Sequence, residues 1–248
     1  MRSSKTEPSV GAFPEQPMAA EAPCEPTARS RRSFLGRAAA ATAVAVPTFA
    51  VITSRKARAA GQHRLTGLAA ELINEVMNDE DQHVPIIQNL LDDPDNPLPI
   101  PIRRPPNFNL NRLTMPNLQA FLETASAFEN TGSGLYHGAL LNITQTEEYF
   151  PTAAGLAAVE ARHASWLNSL LNEPLVEDFA PVEAPISQSI TLTRVAEFVT
   201  DPRSTFPAFD TTVSTDANNF FVLDFVLFLE YIEAAFYAVN VPRFAVLR

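Results

Sequence analysis

Two short stretches of the chain could bind a cation by their residue types and spacing alone: Glu80-Asp81-Gln82-His83 and Glu160-Ala161-Arg162-His163. Both are Glu-x-x-His. On an α-helix, residues three apart share a face, so each stretch can aim a carboxylate and an imidazole at one point. One copy is weak, because Glu and His are common on solvated helix faces. Two copies, each in register with an apolar stripe, are harder to reach by accident. Glu129 and Glu230 occupy comparable stripe positions in two further segments. An oxygen and imidazole donor set of this kind suits iron or manganese better than a structural zinc.

The elements that must carry these residues are helical. Four segments show a helical period, at about 66–91, 117–143, 152–171 and 216–240. Their apolar stripes run Val76-Glu80-His83-Ile87-Leu90, then Leu118-Leu122-Ala125-Glu129-Gly132-Tyr136-Ile143, then Leu156-Glu160-His163-Leu167-Leu170, and finally Leu223-Leu227-Glu230-Ala234-Tyr237-Val241. Each stripe is long enough for five or more turns and each carries a Glu near its middle. The expected architecture is an all-α four-helix bundle with two long crossover connections. One connection spans 92–116 and is rich in proline, so it reads as extended and non-helical. The other spans 172–215, within which 186–195 carries a weak strand signal. Either is long enough to run the length of a helix of about 22 residues, ~33 Å at ~1.5 Å per residue. The connection at 144–151 is short and predicts antiparallel neighbours.

A carboxylate buried in an apolar stripe costs several kcal/mol, and four that converge repel one another. Something positive must compensate, and of the nearby cationic side chains only Arg162 adjoins these positions, off the stripe. Two metal ions would supply the charge. Other polar candidates read as ordinary. His63 lies near the expected new N-terminus, Glu123 is on a solvated face, and His137 is off the stripe. Trp166 and the run from Phe220 to Phe228 read as core. That run is not a membrane span, because Asp224, Glu230 and Glu233 interrupt it. No nucleophilic triad is recognisable, and no catalytic residue is assigned.

The first 59 residues read as a separate segment. Arg31-Arg32-Ser33-Phe34-Leu35 resembles a twin-arginine export signal, an alanine-rich run follows, and Ala57-Arg58-Ala59 resembles a peptidase site cut after Ala59. Residues 1–59 are therefore expected to be a signal peptide and 60–248 the bundle domain, in the periplasm or outside the cell. The full chain has 248 residues and a net charge of −10; removal of 1–59 leaves nine basic and 24 acidic residues and a net charge of −15. Such a surface excludes nucleic-acid binding and disfavours anionic lipid. The lone Cys24 goes with the signal, which excludes disulfides and thiolate metal cages.

Glu160-Ala-Arg-His163-Ala-Ser-Trp166-Leu167 resembles the last helix of the ferritin-like superfamily of di-iron and di-manganese carboxylate bundles, and Glu230-Tyr-Ile-Glu-Ala-Ala-Phe-Tyr237 resembles its first helix. Glu129 and Tyr136 repeat the same seven-residue spacing. The chain is further similar to exported ferritin-like proteins related to plant desiccation-related proteins. The resemblance implies a metal site of Glu80, His83, Glu129, Glu160, His163 and Glu230, with Tyr136 and Tyr237 hydrogen-bonded behind the ligands and two iron or manganese ions as cofactors. Glu233 is an alternative to Glu230 as ligand. The family's first helix falls last here, which implies either a circular permutation or a C-terminal helix swapped into a second copy in a homodimer. Pro85 is expected to kink the first helix beside His83. Two functions stay open at this point: an oxidoreductase of ferroxidase or catalase type, acting on peroxide, dioxygen or ferrous iron, and a non-catalytic stress protein of the envelope that keeps the fold.

Overall fold

The computed structural model describes residues 64–92, 104–143, 149–200 and 215–246. Arg31, Arg32, the cut at Ala59, His63 and the prolines from Pro94 to Pro101 lie outside the described residues. Among the described residues four long helices dominate: α1 (Leu68–Leu91), α3 (Leu118–Leu140), α4 (Tyr149–Leu171) and α6 (Asp216–Phe244). Two short helices, α2 (Leu110–Leu113) and α5 (Gln188–Val195), lie in the crossovers.

The apolar stripes explain the packing. Ile73, Val76, Ile87 and Leu90 of α1 are buried, as are Leu118, Leu122 and Ala125 of α3 and Leu156 and Leu167 of α4. Helix α6 differs, because it is apolar on nearly every side: Phe220, Val222, Leu223, Phe225, Val226, Leu227, Phe228 and Leu229 are all buried. It packs on both α1 and α3. No helix among the described residues is long and apolar enough to cross a membrane. Trp166 packs partly buried against the core, as expected of it.

Cross-helix hydrogen bonds fix the directions. Gln88 of α1 donates to Tyr231 Oη of α6 at 2.8 Å, while Leu65 and Ala245 pair at the other end of the same two helices. Ser126 and Asn130 of α3 both donate to Asn168 of α4, at 2.6 and 2.9 Å. Each neighbouring pair is therefore antiparallel, and the diagonal pairs α1 with α3 and α4 with α6 are parallel. Parallel helices in sequence require connections that run the bundle's length, which is why the chain has two long crossovers. The closest pairs are α3 with α4 and α1 with α6, whereas α1 and α4 meet only sparingly.

Two local expectations are corrected. The segment 186–195 is not a strand but contains α5: Ser187 caps it, accepting a hydrogen bond from the Ile190 N–H at 3.4 Å, and Thr191 and Val195 bury one face at helical spacing. The proline-rich crossover is not wholly extended, since α2 forms in the gap between Pro106 and Pro116, where Arg112 and Leu113 N–H groups bond back to Asn109. Pro85 lies inside α1, which runs on to Leu91 as its stripe predicts.

Both crossovers are fastened to the bundle. Asn240 of α6 donates to Leu113 O and accepts from Met115 N–H, holding the first. Ile186 donates to Gly134 O of α3 at 2.8 Å, holding the second. A Cβ on Gly138 would sit 2.7 Å from Ile186 O, so only glycine admits the crossover backbone at that point. The crossovers also pair with each other, through Asn109 N–H to Phe198 O and Thr200 N–H to Asn107 O, both 2.8 Å.

The start of α1 lies beside the end of α6. Leu65 donates to Phe244 O at 2.6 Å, Val246 donates to Leu65 O at 3.0 Å, and Arg64 reaches Pro242 O. This is the juxtaposition a permuted helix order requires, and α6 completes the bundle within its own chain. A rearranged chain that runs from 215 to 246, crosses a short glycine-rich linker and continues from 64 to 200 should therefore fold. Circular dichroism should show helicity equal to that of the parent domain; an unfolded product would mean that the parallel bridge does not mark a true hairpin.

Candidate metal centre

Glu80, Glu129, Glu160 and Glu230 lie near the middle of α1, α3, α4 and α6, and antiparallel packing brings them to one level. All four are 0 % exposed, as is Glu233, while His83 and His163 are 3 % and 7 % exposed. Their donor atoms form two sets of four. Glu80, Glu129, Glu160 and His163 make one, Glu80, His83, Glu160 and Glu230 the other, and within each set the atoms lie within 4.8 Å of one another. Glu80 and Glu160 belong to both. All six expected ligands are thus brought together. The Glu and His of one helix share a set, as their spacing requires, but each helix's Glu is also shared with the opposite set.

The contacts around the histidines cannot all be hydrogen bonds at once. His83 Nδ1 lies 3.1 Å from Glu160, 3.2 Å from Glu230 and 3.4 Å from Glu80. A ring nitrogen has one in-plane direction and cannot serve three acceptors. His163 Nδ1 is likewise 3.0 Å from Glu80 and 3.3 Å from Glu129. Both oxygens of Glu80 and Glu160, Glu129 Oε2 and His163 Nδ1 are buried without a hydrogen-bond partner. Unmatched donors from three helices, turned toward one interior region, fit a metal ion far better than they fit one another.

The outer oxygens of the terminal carboxylates are held crosswise. Tyr136 of α3 donates to Glu230 Oε1, and Tyr237 of α6 donates to Glu129 Oε1, both at 2.5 Å. Each tyrosine serves the opposite helix's Glu rather than the one seven residues before it, because the seven-residue step returns its ring to the same helix face, one level beyond its own Glu. Burial, then the charge of the bonded carboxylate, raises both phenols well above their usual value of 10.0, so they stay protonated donors. Of the remaining candidates, His137 Nδ1 sits 2.8 Å from Ser133 O, and Glu123 is exposed and accepts from Gln119, so neither reaches the centre.

Glu233 is outside both sets of four, although it is buried and both its oxygens lack partners. Burial, then the charge of Glu160, pushes its carboxyl well above the usual range, which favours the neutral form. Glu230, which belongs to a set, is the better placed of the two. Two residues that matter here had no signal of their own in the sequence. Asp79 Oδ2 lies 3.1 Å from His163 Nε2, with its side chain 39 % exposed. Only the third dimension brings it to a histidine 84 residues away. Gly132 leaves the space that Glu160 and Glu233 fill: a Cβ there would collide with Glu160 Oε2 and lie 3.4 Å from Glu233 Oε1.

The family model of the ferritin-like domain matches residues 32–173, more than half of the chain. The chain belongs to the ferritin-like domain family. The matched stretch holds five of the six clustered residues; Glu230, on α6, lies beyond it. No curated protein and no solved structure matches the chain. The all-α bundle is the fold of this ferritin-like protein, and its buried Glu and His cluster can hold a metal ion.

Protons and metal compete for this cluster. Burial, then the charge of Glu129, lifts Glu80 from 4.5 to about 7, and burial with the charge of Glu80 lifts Glu160 well above the usual range. Burial alone would lower both histidines. The Glu230 charge and the Glu160 contact reverse this strongly at His83, and contacts with Glu129 and Glu80 bring His163 up to about 11. A pKa raised on folding contributes stability that is complete below the unfolded value and is lost as pH rises through the folded one. Metal-free protein should therefore lose on the order of a few kcal/mol between pH ~5 and ~8 as Glu80 ionises in place, whereas protein loaded with a divalent metal should gain stability over the same range. Denaturant titrations at several pH values, with and without chelator, measure both slopes.

Gly132→Ala gives a second check. The atom that must yield is the end of the Glu160 side chain, so the fold should survive with little change in melting temperature. Metal affinity should fall by about ten- to a hundredfold, as when a ligand's support is lost, and calorimetry of metal binding reads the difference.

Proposed function

We propose that this protein binds two iron or manganese ions in its bundle and uses them on peroxide, dioxygen or ferrous iron, and that it works outside the cytoplasm after twin-arginine export. The observation that carries the reading is the pair of four-atom donor sets that share Glu80 and Glu160. Glu80 and Glu160 would be shared by two ions, Glu129 and His163 would complete one position, and His83 and Glu230 would complete the other. Four carboxylates balance two divalent charges, which removes the cost of burying the anions unpaired. A bound pair of such ions supplies Lewis acidity and redox equivalents to a small oxidant.

The chain's own residues set the conditions. Tyr136 and Tyr237 hold Glu230 and Glu129 by their outer oxygens and leave the inner ones for the metal. Phe128, Leu135, Phe236 and Leu167, all buried, belong to the apolar core that encloses the centre and limits water. The export part of the proposal rests on Arg31-Arg32 followed by an apolar run and Ala57-Arg58-Ala59. The resemblance of the sequence to desiccation-related proteins favours a second reading, metal sequestration in an envelope stress role without turnover. The depth of the site favours it in one respect, since every cluster carboxylate is fully buried.

Elemental analysis of the protein purified from its native compartment tests the common part. About two iron or manganese per chain are expected, the stoichiometry of the bundle's paired-carboxylate design, and Glu160→Ala or His163→Ala should lose most of both. A folded parent protein that takes up no metal refutes the proposal. Peroxide disproportionation and ferrous oxidation by the loaded protein then separate the readings: turnover abolished in Glu160→Ala supports the enzyme, and full metal with no turnover supports sequestration.

A further inference from the structure

The cluster is built from two similar halves. Helices α3 and α4 supply Glu129, Tyr136, Glu160 and His163; helices α6 and α1 supply Glu230, Tyr237, Glu80 and His83. The repetition breaks in two places. Asp79 precedes Glu80, but Val159 precedes Glu160; Glu233 follows Glu230 by three, but Gly132 follows Glu129 by three. The second break does not distinguish the two donor sets, because Glu233 faces Glu160, which both share, across the gap left by Gly132.

The first break does distinguish them. His163 Nε2 lies 3.1 Å from Asp79 Oδ2 while its Nδ1 faces Glu80 and Glu129. An imidazole that donates from one nitrogen to a carboxylate presents the other as a fixed, more basic lone pair. His83 has its three carboxylate contacts at Nδ1 alone, and among the described residues no carboxylate meets its Nε2. The place corresponding to Asp79 is taken by the apolar Val159.

We infer that the two cation positions are unequal: the Glu129–His163 position takes and keeps the first ion, the His83–Glu230 position holds an exchangeable second one, and Asp79 is the positioning residue that makes the difference. This rests on the two-metal reading above. Asp79 touches neither the shared carboxylates nor any proposed ligand other than His163, so its effect is local. An outer-shell carboxylate of this kind changes metal affinity by about ten- to a hundredfold.

Cobalt(II) titration of the full, metal-free protein, followed by calorimetry and by visible absorption, tests the inference. Wild type should take two equivalents in two phases, the first about ten- to a hundredfold tighter. Asp79→Ala should weaken the first phase by that factor and leave the second unchanged; Asp79→Asn, which keeps an acceptor but not the charge, should fall between. His83→Ala should retain one tight equivalent, and His163→Ala should lose the tight phase. Val159→Asp, which places a carboxylate beside His83, should tighten the second phase. In one-equivalent protein, proton NMR should show one slowly exchanging, paramagnetically shifted imidazole N–H that disappears in Asp79→Ala. Two equal equivalents in wild type, equal weakening of both phases in Asp79→Ala, or loss of the tight phase in His83→Ala instead of His163→Ala would each overturn the inference and leave the two-metal reading intact. No cobalt uptake by wild type, with iron and manganese also refused, would overturn both.

Discussion

Uncompensated negative charge in a dry interior is the constraint around which this bundle is organised. Five carboxyl groups, from Glu80, Glu129, Glu160, Glu230 and Glu233, are wholly withdrawn from water. Left ionised and unpaired, each would cost several kcal/mol, more than any single packing contact returns. The metal-free protein has only partial remedies. Burial favours the neutral form of Glu80, Glu160 and Glu233, and the surrounding carboxylates favour the charged form of both histidines. Each remedy leaves buried oxygens without hydrogen-bond partners. A protein that needed only stability would fill these positions with leucine, as it does one turn away at Leu156 and Leu167. Polar donors kept in the middle of four apolar stripes, and turned toward one another, are organised for a cation.

The rest of the fold serves that arrangement. Antiparallel neighbours place mid-helix residues at one height, and the crossovers allow the diagonal helices to run parallel. Asn240 and Ile186 fasten those crossovers to α6 and α3, so the helices that carry the tyrosines are braced from outside. The tyrosines then tie α3 and α6 to each other through the carboxylates themselves. Gly132 and Gly138 mark the two places on α3 where a side chain would intrude, one on the cluster and one on the crossover backbone. The α1–α4 side is the loosest seam of the bundle, and it is the side on which the two imidazoles lie, with ring centroids 6.3 Å apart, and on which Asp79 meets solvent.

The two halves of the cluster look alike in sequence but differ where it counts chemically. Crosswise tyrosine bonds are symmetric, and so are the shared carboxylates. Asp79 and Glu233 are not. Asp79 meets His163, on one side of the centre only, whereas Glu233 faces Glu160, which both donor sets share. The ferritin-like bundle thus supplies a nearly two-fold frame, and single residues on it decide how the two positions differ.

Much of this was legible in the chain itself. The stripes located all four long helices to within a few residues, and the interruption of each stripe by Glu picked out every residue that the fold gathers at the centre. Helical period is a local property, so a buried polar residue shows itself wherever it breaks the pattern. What the pattern missed was non-local or balanced between local tendencies. At 186–195 apolar spacing suited a strand and a helix alike, and the Ser187 cap with the packing of Thr191 and Val195 decided for the helix. The proline content of 92–116 hid α2. Which carboxylates are shared, which tyrosine holds which glutamate, and that Asp79 meets His163 were set only in three dimensions. Those outcomes depend on how far each helix is rotated and slid against its neighbours, and no spacing within a single helix carries that information.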